Sequence, residues 1–319
     1  TKLGKIQQST LSNRKNHYRN SGLTLPRQIL LHFERTRLCH RLEYVRVGRK
    51  SYSKSSIYVE CEKDEINYSH CFPYGQSNSL EILKWFQSVR EYLQLPITTR
   101  IHFDLLIFSP QSFGFLLHEG LGHRLESDDF KSPFRFKKFQ PTNFDVWDTP
   151  GQKNTPGYCP FDDYGRNGRS VKMFEGRTGS QQMLGKETGN FRATSFLWHP
   201  IIRQRTLQVK IVGGPVVPRK IPSLIIDSIS EGSFGPDNQI RLQTCQQKIL
   251  TEKGKLFRLP PLTIETHSHV IPKLKAFGKM ESTHPGAGCH KGQQRGLGVS
   301  FICPSAWMKP TSKELTISV

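Results

Sequence analysis

Apolar and polar positions alternate with two different periods along the chain, and these periods separate predicted helices from predicted strands. Residues 79 to 95 carry apolar side chains near helical spacing, which predicts an amphipathic helix that ends before Pro96. Residues 42 to 62 alternate around a turn region from Gly48 to Ser56, which predicts a β-hairpin. The short apolar run from Ile101 to Phe108 is typical of a buried strand.

A helix is expected to follow this strand directly. Ser109 is a favourable N-cap residue, Pro110 suits the first helical position, and apolar residues then recur on one side as far as Leu125. Beyond Pro133 the pattern changes to short β-like segments separated by Gly, Pro, Asn and Asp. These segments cover residues 171–174, 206–212, 223–229, 239–245, 256–264 and 299–303.

The order of these elements predicts an α+β protein with two parts. Residues 1–100 would form a short, basic, mixed α/β N-terminal region. Residues 101–319 would form a β-rich C-terminal domain that carries one metal-binding helix, for the reasons given below.

The charge of the chain is strongly positive and unevenly distributed. Lys and Arg number 46 against 26 Asp and Glu, a formal net charge of +20, and residues 1–50 contain 12 basic residues against two acidic ones. A basic arm could bind nucleic acid without sequence preference. Neither an RNA-binding aromatic signature nor a zinc-finger spacing accompanies it, so a solvated N-terminal segment is the favoured interpretation and nucleic-acid association the weaker one.

The composition also bears on the cellular compartment. No apolar run reaches the 18 or more residues typical of a membrane-spanning helix, and residues 1–25 contain no apolar block like that of a signal peptide. The seven cysteines are widely spaced and odd in number, which favours reduced thiols over a disulfide framework. We therefore expect a cytoplasmic protein without a membrane partner.

The candidate chemistry lies on the predicted helix, in the segment His118-Glu119-Gly120-Leu121-Gly122-His123. Neutral imidazoles bind zinc, and a Glu beside the first ligand can take a proton from water. The two histidines are five positions apart, so on a regular helix they would point roughly 140° apart. Both can reach one ion only where the helix is broken or bulged, which the two glycines permit. The alternative is that both histidines are structural residues at the end of a packed helix.

A third metal ligand is needed, and the cysteines offer candidates. Cys289 is favoured because glycines surround it and the nearby Lys291 would stabilise a thiolate. Its neighbour His290 ranks below it. Cys61 and Cys303, which are flanked by β-branched or apolar residues, are interpreted as buried strand thiols.

Four motifs in a fixed order resemble those of the TldD/PmbA proteins, also called modulators of DNA gyrase, whose TldD-type members are zinc metalloproteases. Residues 116–126 resemble the family's signature helix, in which the two histidines are likewise five apart. Residues 161–165 (Phe-Asp-Asp-Tyr-Gly), 188–192 (Thr-Gly-Asn-Phe-Arg) and 289–294 (Cys-His-Lys-Gly-Gln-Gln) resemble its three later motifs. The match covers roughly residues 101 to 319, and four ordered motifs are more specific than any one.

The resemblance implies a zinc-dependent peptidase that hydrolyses unfolded or extended peptides. It implies a metal site formed by His118, His123 and Cys289, with Glu119 as the general base and acid. The substrate contacts that it implies are Asp163, Asn190 and Arg192, with a strand-entry or outer-shell position as the other role for Asp163. The alternative for all three is that they structure their loops, since Asp and Asn are common in turns. The resemblance further implies a homo- or hetero-oligomer with a related subunit, in which only the TldD-type subunit carries metal.

Departures from the family pattern support a second hypothesis, a non-catalytic or decayed copy that acts as a partner subunit. Phe191 and His290 each stand where the family usually has Gly, and Arg205 stands where a small polar residue is expected. The region before residue 100 is also shorter and more basic than the usual N-terminal domain. The peptidase is nevertheless favoured, because an ordered set of chemical residues outweighs these departures and the diffuse excess of charge.

Overall fold

The structure, a computed structural model, is an α+β protein built mostly of β-strands. It describes residues 13–20, 33–64, 66–73, 79–126, 139–151, 153, 157–185, 188–189, 191–193, 200–202, 204–214, 217–218, 221–283 and 299–319. Among these residues the strands form one four-stranded sheet, one twelve-stranded sheet and one separate pair.

The four-stranded sheet is antiparallel throughout and lies near the N-terminus. Its strands follow chain order as β1 (Asn13–Asn20), β2 (Arg35–Val47), β3 (Lys50–Lys63) and β4 (Ile66–Pro73). Helix α1 (Ser79–Gln94) packs its apolar face on this sheet, which confirms the predicted amphipathic helix. The residues that fill this core are Phe33, Ile57, Val59, Cys61, Tyr68, Phe72, Ile82, Phe86, Val89 and Tyr92.

The predicted hairpin is present, but its turn is much shorter than the sequence suggested. Val47 pairs with Lys50, so only Gly48 and Arg49 lie between the strands, and residues 51–56 belong to β3. Gly48 has a φ of +58°, a conformation that glycine adopts without steric cost. The serine-rich composition of residues 51–56 resembles a loop, but cross-strand pairing with β2 overrides that local preference.

The twelve-stranded sheet contains most of the remaining strands. Its main path runs β18-β15-β13-β12-β5-β17-β11-β6-β7-β8, with β14 paired to β13 and β16 paired to β17. Only the pairs β5 with β12 and β11 with β17 are parallel within the described residues. The bounds are β5 (Leu105–Phe108), β6 (Phe144–Thr149), β7 (Val171–Glu175), β8 (Ser180–Gln181), β11 (Thr206–Ile211), β12 (Ser223–Phe234), β13 (Gln239–Leu250), β14 (Leu256–Arg258), β15 (Thr263–His267), β16 (Lys275–Thr283), β17 (Ser300–Met308) and β18 (Leu315–Ser318).

The separate pair consists of β9 (Phe191–Ala193) and β10 (Pro200–Ile202), which are antiparallel. Two 3₁₀ segments lie between strands: Pro236–Asn238 joins the paired strands β12 and β13, and Ser268–Lys273 leads from β15 to β16.

All six predicted β segments contain strands, with corrected bounds. The segment 256–264 is two strands, because Pro260 and Pro261 interrupt it and proline has no N–H for a ladder. The predicted strand from Ile101 begins only at Leu105, and the predicted strand at Val299 continues to Met308.

Helix α2 (Pro110–Leu117) follows β5 as predicted, and side-chain hydrogen bonds fix its first turn to the sheet. Ser109 is the N-cap and accepts a hydrogen bond from the Ser112 amide. The hydroxyls of Ser109 and Ser112 donate to the carbonyl oxygens of Asp227 and Ile226 in β12, both at 2.6 Å. These contacts hold the helix across the parallel pair β5 and β12, where its apolar residues enter the main core. Among the described residues, no helix is both long enough and apolar enough to cross a membrane.

Close packing between α2 and β17 gives a test of this arrangement. A Cβ added at Gly114 would lie 2.3 Å from the Phe301 ring, so Gly114→Ala should force the two elements apart. We expect a loss of about 1–3 kcal/mol in the free energy of unfolding, measured by urea denaturation. Gly214→Ala is the control, because a Cβ there meets no atom within 4 Å. Equal stability of the two variants would contradict this packing.

Candidate metal centre

A π-helical turn breaks the helix between the two histidines. Residues His118–Gly122 form this turn, and the His123 amide donates a hydrogen bond to the His118 carbonyl. Because this bond joins residues five apart, it brings positions 118 and 123 toward the same side of the helix. The ring centroids of the two histidines are 4.6 Å apart. The predicted bulge is confirmed, and it resolves the angular mismatch of the five-residue spacing.

The π-helical turn assembles a group of three possible metal ligands. His118, Glu119 and His123 each offer one ligand atom, and these atoms lie within 4.8 Å of one another. Two imidazoles and one carboxylate are donors suited to a zinc ion or a similar divalent transition metal. This group could therefore hold a metal ion.

A buried amide holds the first histidine. Gln204, just before β11, places its Oε1 2.6 Å from Nδ1 of His118, and both side chains are buried. A hydrogen bond on Nδ1 leaves Nε2 as the ring nitrogen for a metal. A ring contact with Phe301 of β17, at 6.5 Å between centroids, lies beside the same histidine.

A carboxylate holds the second histidine in a similar way. Nδ1 of His123 is 3.1 Å from a Glu126 oxygen, and Nε2 is 3.4 Å from a Glu119 oxygen. The ring also stacks on Phe234 at the end of β12, with centroids 6.3 Å apart. His123 is partly exposed, whereas His118 and Glu119 are buried, so the site opens on the His123 side.

Glu119 lies against the backbone of β12. A Cβ at Gly232 would lie 2.7 Å from Oε1 of Glu119, so this strand position must be glycine for the carboxylate to fit. Burial raises the pKa of the Glu119 carboxyl to about 7, while His123 opposes this shift and Glu126 reinforces it. A buried carboxyl with this pKa can exchange a proton near neutral pH.

A buried ion pair anchors the chain next to Gln204. Asp148 in β6 accepts hydrogen bonds from the Arg205 amide at 2.8 Å and from its Nε at 3.0 Å. The guanidinium also donates to the Arg169 carbonyl, and both members of the pair are buried. Arg205, which departs from the expected small polar residue, thus fixes the backbone from which Gln204 reaches His118.

Among the predicted substrate residues, Asp163 is the one whose side chain the structure describes. Asp163 is buried in a loop that the preceding Asp162 organises by accepting hydrogen bonds from the Tyr164 and Arg166 amides. Lys50 in β3 donates to the Gly165 carbonyl and to Asn167 of this loop. Asp163 is not part of the His118, Glu119 and His123 group. Its contact with substrate stays a prediction.

Other predicted residues lie outside what the structure describes. Asn190, Cys289 and His290 fall outside the described residues, and for Phe191 and Arg192 the backbone alone is described, in β9. Cys61 and Cys303 are fully buried strand residues, as predicted, and burial raises the pKa of both thiols, that of Cys61 to about 12. Neither thiol belongs to the group of possible metal ligands formed by His118, Glu119 and His123.

Comparisons with known proteins identify the fold. No protein-family model matches the chain, and no curated protein matches its sequence. Solved structures do match. One is TldE from Thermococcus kodakarensis, with a TM-score of 0.61 and 11% sequence identity over 89% of this chain and 68% of that chain.

Two further structures are described as candidate modulators of DNA gyrase. The protein from Thermotoga maritima has a TM-score of 0.55 and 13% identity, and covers 89% of this chain and 68% of its own. The protein from Bacteroides thetaiotaomicron has a TM-score of 0.55 and 10% identity, over 89% and 65%. The chain has the TldD/TldE/PmbA family fold. The resemblance of the four sequence motifs is thereby confirmed at the level of fold.

Sequence reasoning missed several residues that shape the site within this TldD/TldE/PmbA fold. Gln204, Gly232 and Phe301 come from three different strands or strand ends, far from the His-Glu segment in sequence. Glu126 is the exception, because its spacing of three from His123 places the two side chains on neighbouring helical positions.

The Arg205 and Asp148 pair gives a stability prediction. Arg205→Met would leave the Asp148 carboxylate buried without its guanidinium, so we expect the free energy of unfolding to fall by about 3–5 kcal/mol. The control is Arg241→Met, which removes an exposed pair with Glu265 and should cost about 0–1 kcal/mol. Urea denaturation of both variants makes the measurement, and similar small losses would show that the buried pair is not a major anchor.

Proposed function

We propose that this protein is a zinc-dependent peptidase acting on unfolded or extended peptides. The observation that carries the proposal is the π-helical turn, which gathers two imidazoles and one carboxylate within 4.8 Å. A regular helix would separate the two histidines, so the turn forms the one local geometry in which the five-residue spacing can serve one ion. The fold shared with TldE and with the candidate modulators of DNA gyrase supports the same reading.

Zinc would be held by His118, His123 and Cys289. The support for Cys289 is the position of the strands on either side of it. Thr283 of β16 pairs with Phe301 of β17, and the Phe301 ring lies 6.5 Å from the His118 ring. Cys289 follows Thr283 by six residues, a length of chain that spans at most about 20 Å. The connection that carries Cys289 therefore leaves β16 and enters β17 close to the His118 ring.

The chemistry divides between the ion and the protein side chains. Zinc, when bound, supplies a Lewis acid that polarises a peptide carbonyl and makes water more acidic. Glu119 would take a proton from the attacking water on its carboxylate and pass it to the leaving amine. Its burial beside Gly232 keeps the carboxylate close to the two histidines. A nearby cation would favour the ionised form that a general base requires.

The substrate and assembly follow from the resemblance. An extended peptide would contact Asp163, Asn190 and Arg192. Arg192 belongs to β9, and the partner of β9, β10, ends two residues before Gln204. A related subunit would complete a homo- or hetero-oligomer, in a cytoplasmic setting where the thiols stay reduced. Cys39, Cys61, Cys159, Cys245 and Cys303, whose side chains the structure describes, form no disulfide.

A second candidate is a partner subunit without catalytic activity. The similarity to a protein named TldE and the departures at Phe191 and His290 favour this reading. The intact His-Glu-His group favours the peptidase, because a subunit that binds no metal has no need of a π-helical turn that brings the ligands together.

Metal analysis and three variants test the peptidase. The purified protein should bind about one zinc per chain, and His118→Ala or Cys289→Ser should lose it, as measured by elemental analysis after dialysis. Glu119→Gln should keep the metal but hydrolyse unfolded casein roughly 10²–10⁴-fold more slowly, because the general base is gone. Glu265→Gln, an exposed carboxylate outside the site, should change neither property.

The outcomes separate the roles of the residues. Loss of zinc in Glu119→Gln would make Glu119 a ligand and not the base. Full zinc retention in Cys289→Ser would remove the cysteine from the site. A folded, unmodified protein that binds zinc without hydrolysing casein would favour the partner subunit, and one that binds no zinc would overturn the metal site altogether.

A further inference from the structure

Gln204 has features of a residue selected for the metal site and not for packing alone. It lies 86 positions from His118 in sequence, yet its Oε1 is 2.6 Å from Nδ1 of that histidine. The Gln204 side chain is 6% exposed and the His118 side chain is 5% exposed, so neither can exchange this partner for bulk water. A hydrogen bond made in such an environment is costly to break.

The chemistry of the amide oxygen determines which ring nitrogen carries the hydrogen. An amide oxygen only accepts, so Nδ1 of His118 must donate and Nε2 keeps its lone pair. His118 offers one ring nitrogen to the group it forms with Glu119 and His123, whose ligand atoms lie within 4.8 Å of one another, and in this tautomer Nε2 is the nitrogen with a free lone pair. His123 shows the same pattern, since Glu126 accepts at its Nδ1. Both ligands are therefore held through Nδ1.

The nitrogen of the Gln204 amide shows that the orientation with Oε1 on His118 has a free-energy cost. Within the part of the chain that the structure describes, the buried Nε2 of Gln204 has no hydrogen-bond partner. An unpaired buried donor is unfavourable, and such groups call for an explanation. Keeping the oxygen on His118 explains it, because rotating the amide would place a donor opposite Nδ1 and move the ring hydrogen to Nε2.

The surroundings leave room for this amide and little else. A Cβ at Gly122 would lie 1.7 Å from Nε2 of Gln204, so the second glycine of the π-helical turn provides the space that the amide occupies. On the other side, the Arg205 amide is bound by Asp148, which fixes the backbone one residue away. The Gln204 amide is thus held between the π-helical turn, at Gly122, and the segment before β11 that Asp148 fixes.

We infer that Gln204 is the positioning residue that fixes the tautomer and the ring orientation of His118, so that Nε2 is presented to a divalent metal ion. The inference rests on the proposed function for the identity of the metal. Its structural content, a His118 ring protonated at Nδ1 by virtue of Gln204, holds for the metal-free chain as well.

The test compares the unmodified protein with three variants. Gln204→Met keeps the length of the side chain without an acceptor, and Gln204→Glu keeps an acceptor at the same position. Gln208→Met is the matched control, because Gln208 lies in β11 on the sheet position opposite Trp147 and outside the site. Zinc affinity is measured by competition with a chromophoric chelator, and the tautomer of His118 by ¹⁵N chemical shifts of its ring nitrogens in the metal-free protein.

We expect Gln204→Met to bind zinc about 10–100-fold more weakly, as is typical when the partner of a metal-ligating histidine is removed. Gln204→Glu should stay within a few-fold of the unmodified protein, and Gln208→Met should match it. Unchanged zinc affinity in Gln204→Met would overturn the inference.

The tautomer measurement keeps the test decisive in other cases. Hydrogen on Nδ1 in the unmodified protein supports the inference, and hydrogen on Nε2 overturns it, whether or not Gln204→Met folds. Should the unmodified protein bind no zinc, the proposed peptidase fails, while the ¹⁵N shifts still decide the role of Gln204 in orienting the ring.

Discussion

One backbone hydrogen bond, from the His123 amide to the His118 carbonyl, governs the geometry of the site. A regular α-helical bond would join each amide to the carbonyl four residues earlier and would turn the two imidazoles away from each other. The single wider turn changes which side chains share a face without ending the helix. The convergence of the two imidazoles on one side of the helix depends on this one change of period.

Glycines allow the π-helical turn to pack closely against the rest of the protein. Gly122 gives space to the Gln204 amide, and Gly232 in β12 gives space to the Glu119 carboxylate. Gly120 faces Ile240 and Ile271, where a Cβ would lie 2.5 Å from a methyl group. Residues with no side chain therefore determine how closely the helix, two strands and a loop approach the chemical groups. The two glycines of the His-Glu segment serve packing as much as the flexibility of the helix.

The sequence was most informative where the signal is local. The amphipathic α1, the Ser109 cap with Pro110, and the bulge at His118 to His123 all follow from residues within a few positions of one another, and the structure contains each of them. The predicted strands are present, but their ends were predicted poorly and β1, β4, β6, β16 and β18 were not predicted, because pairing with other strands decides where a ladder forms and stops. The turn at Gly48 shows this, since serines that favour loops are held in β3 by their partners in β2.

Contacts made over long sequence separations could not be predicted in this way. Nothing near Gln204 signals that it meets His118, and Arg205 looked like a departure from a family pattern until its pairing with the buried Asp148 was visible. Composition favours an exposed position for Gln and Arg, so their burial is set by the fold as a whole. The same limit applies to Gly232, whose role depends on a carboxylate from another element.

The β2–β3 hairpin has a consequence for how the chain can be divided. Near its base, Ile57, Val59 and Cys61 cover α1, while near its tip Val45, Val47 and Tyr52 cluster with Phe161. The Tyr92 hydroxyl of α1 also lies 3.3 Å from the carbonyl oxygen of Gln247 in β13 and 3.5 Å from that of Leu259, just after β14. A truncation at residue 100 would remove the aromatic cover of Phe161 and the Tyr92 hydroxyl from beside Gln247 and Leu259. The apolar surface exposed in this way would favour aggregation of the remaining chain.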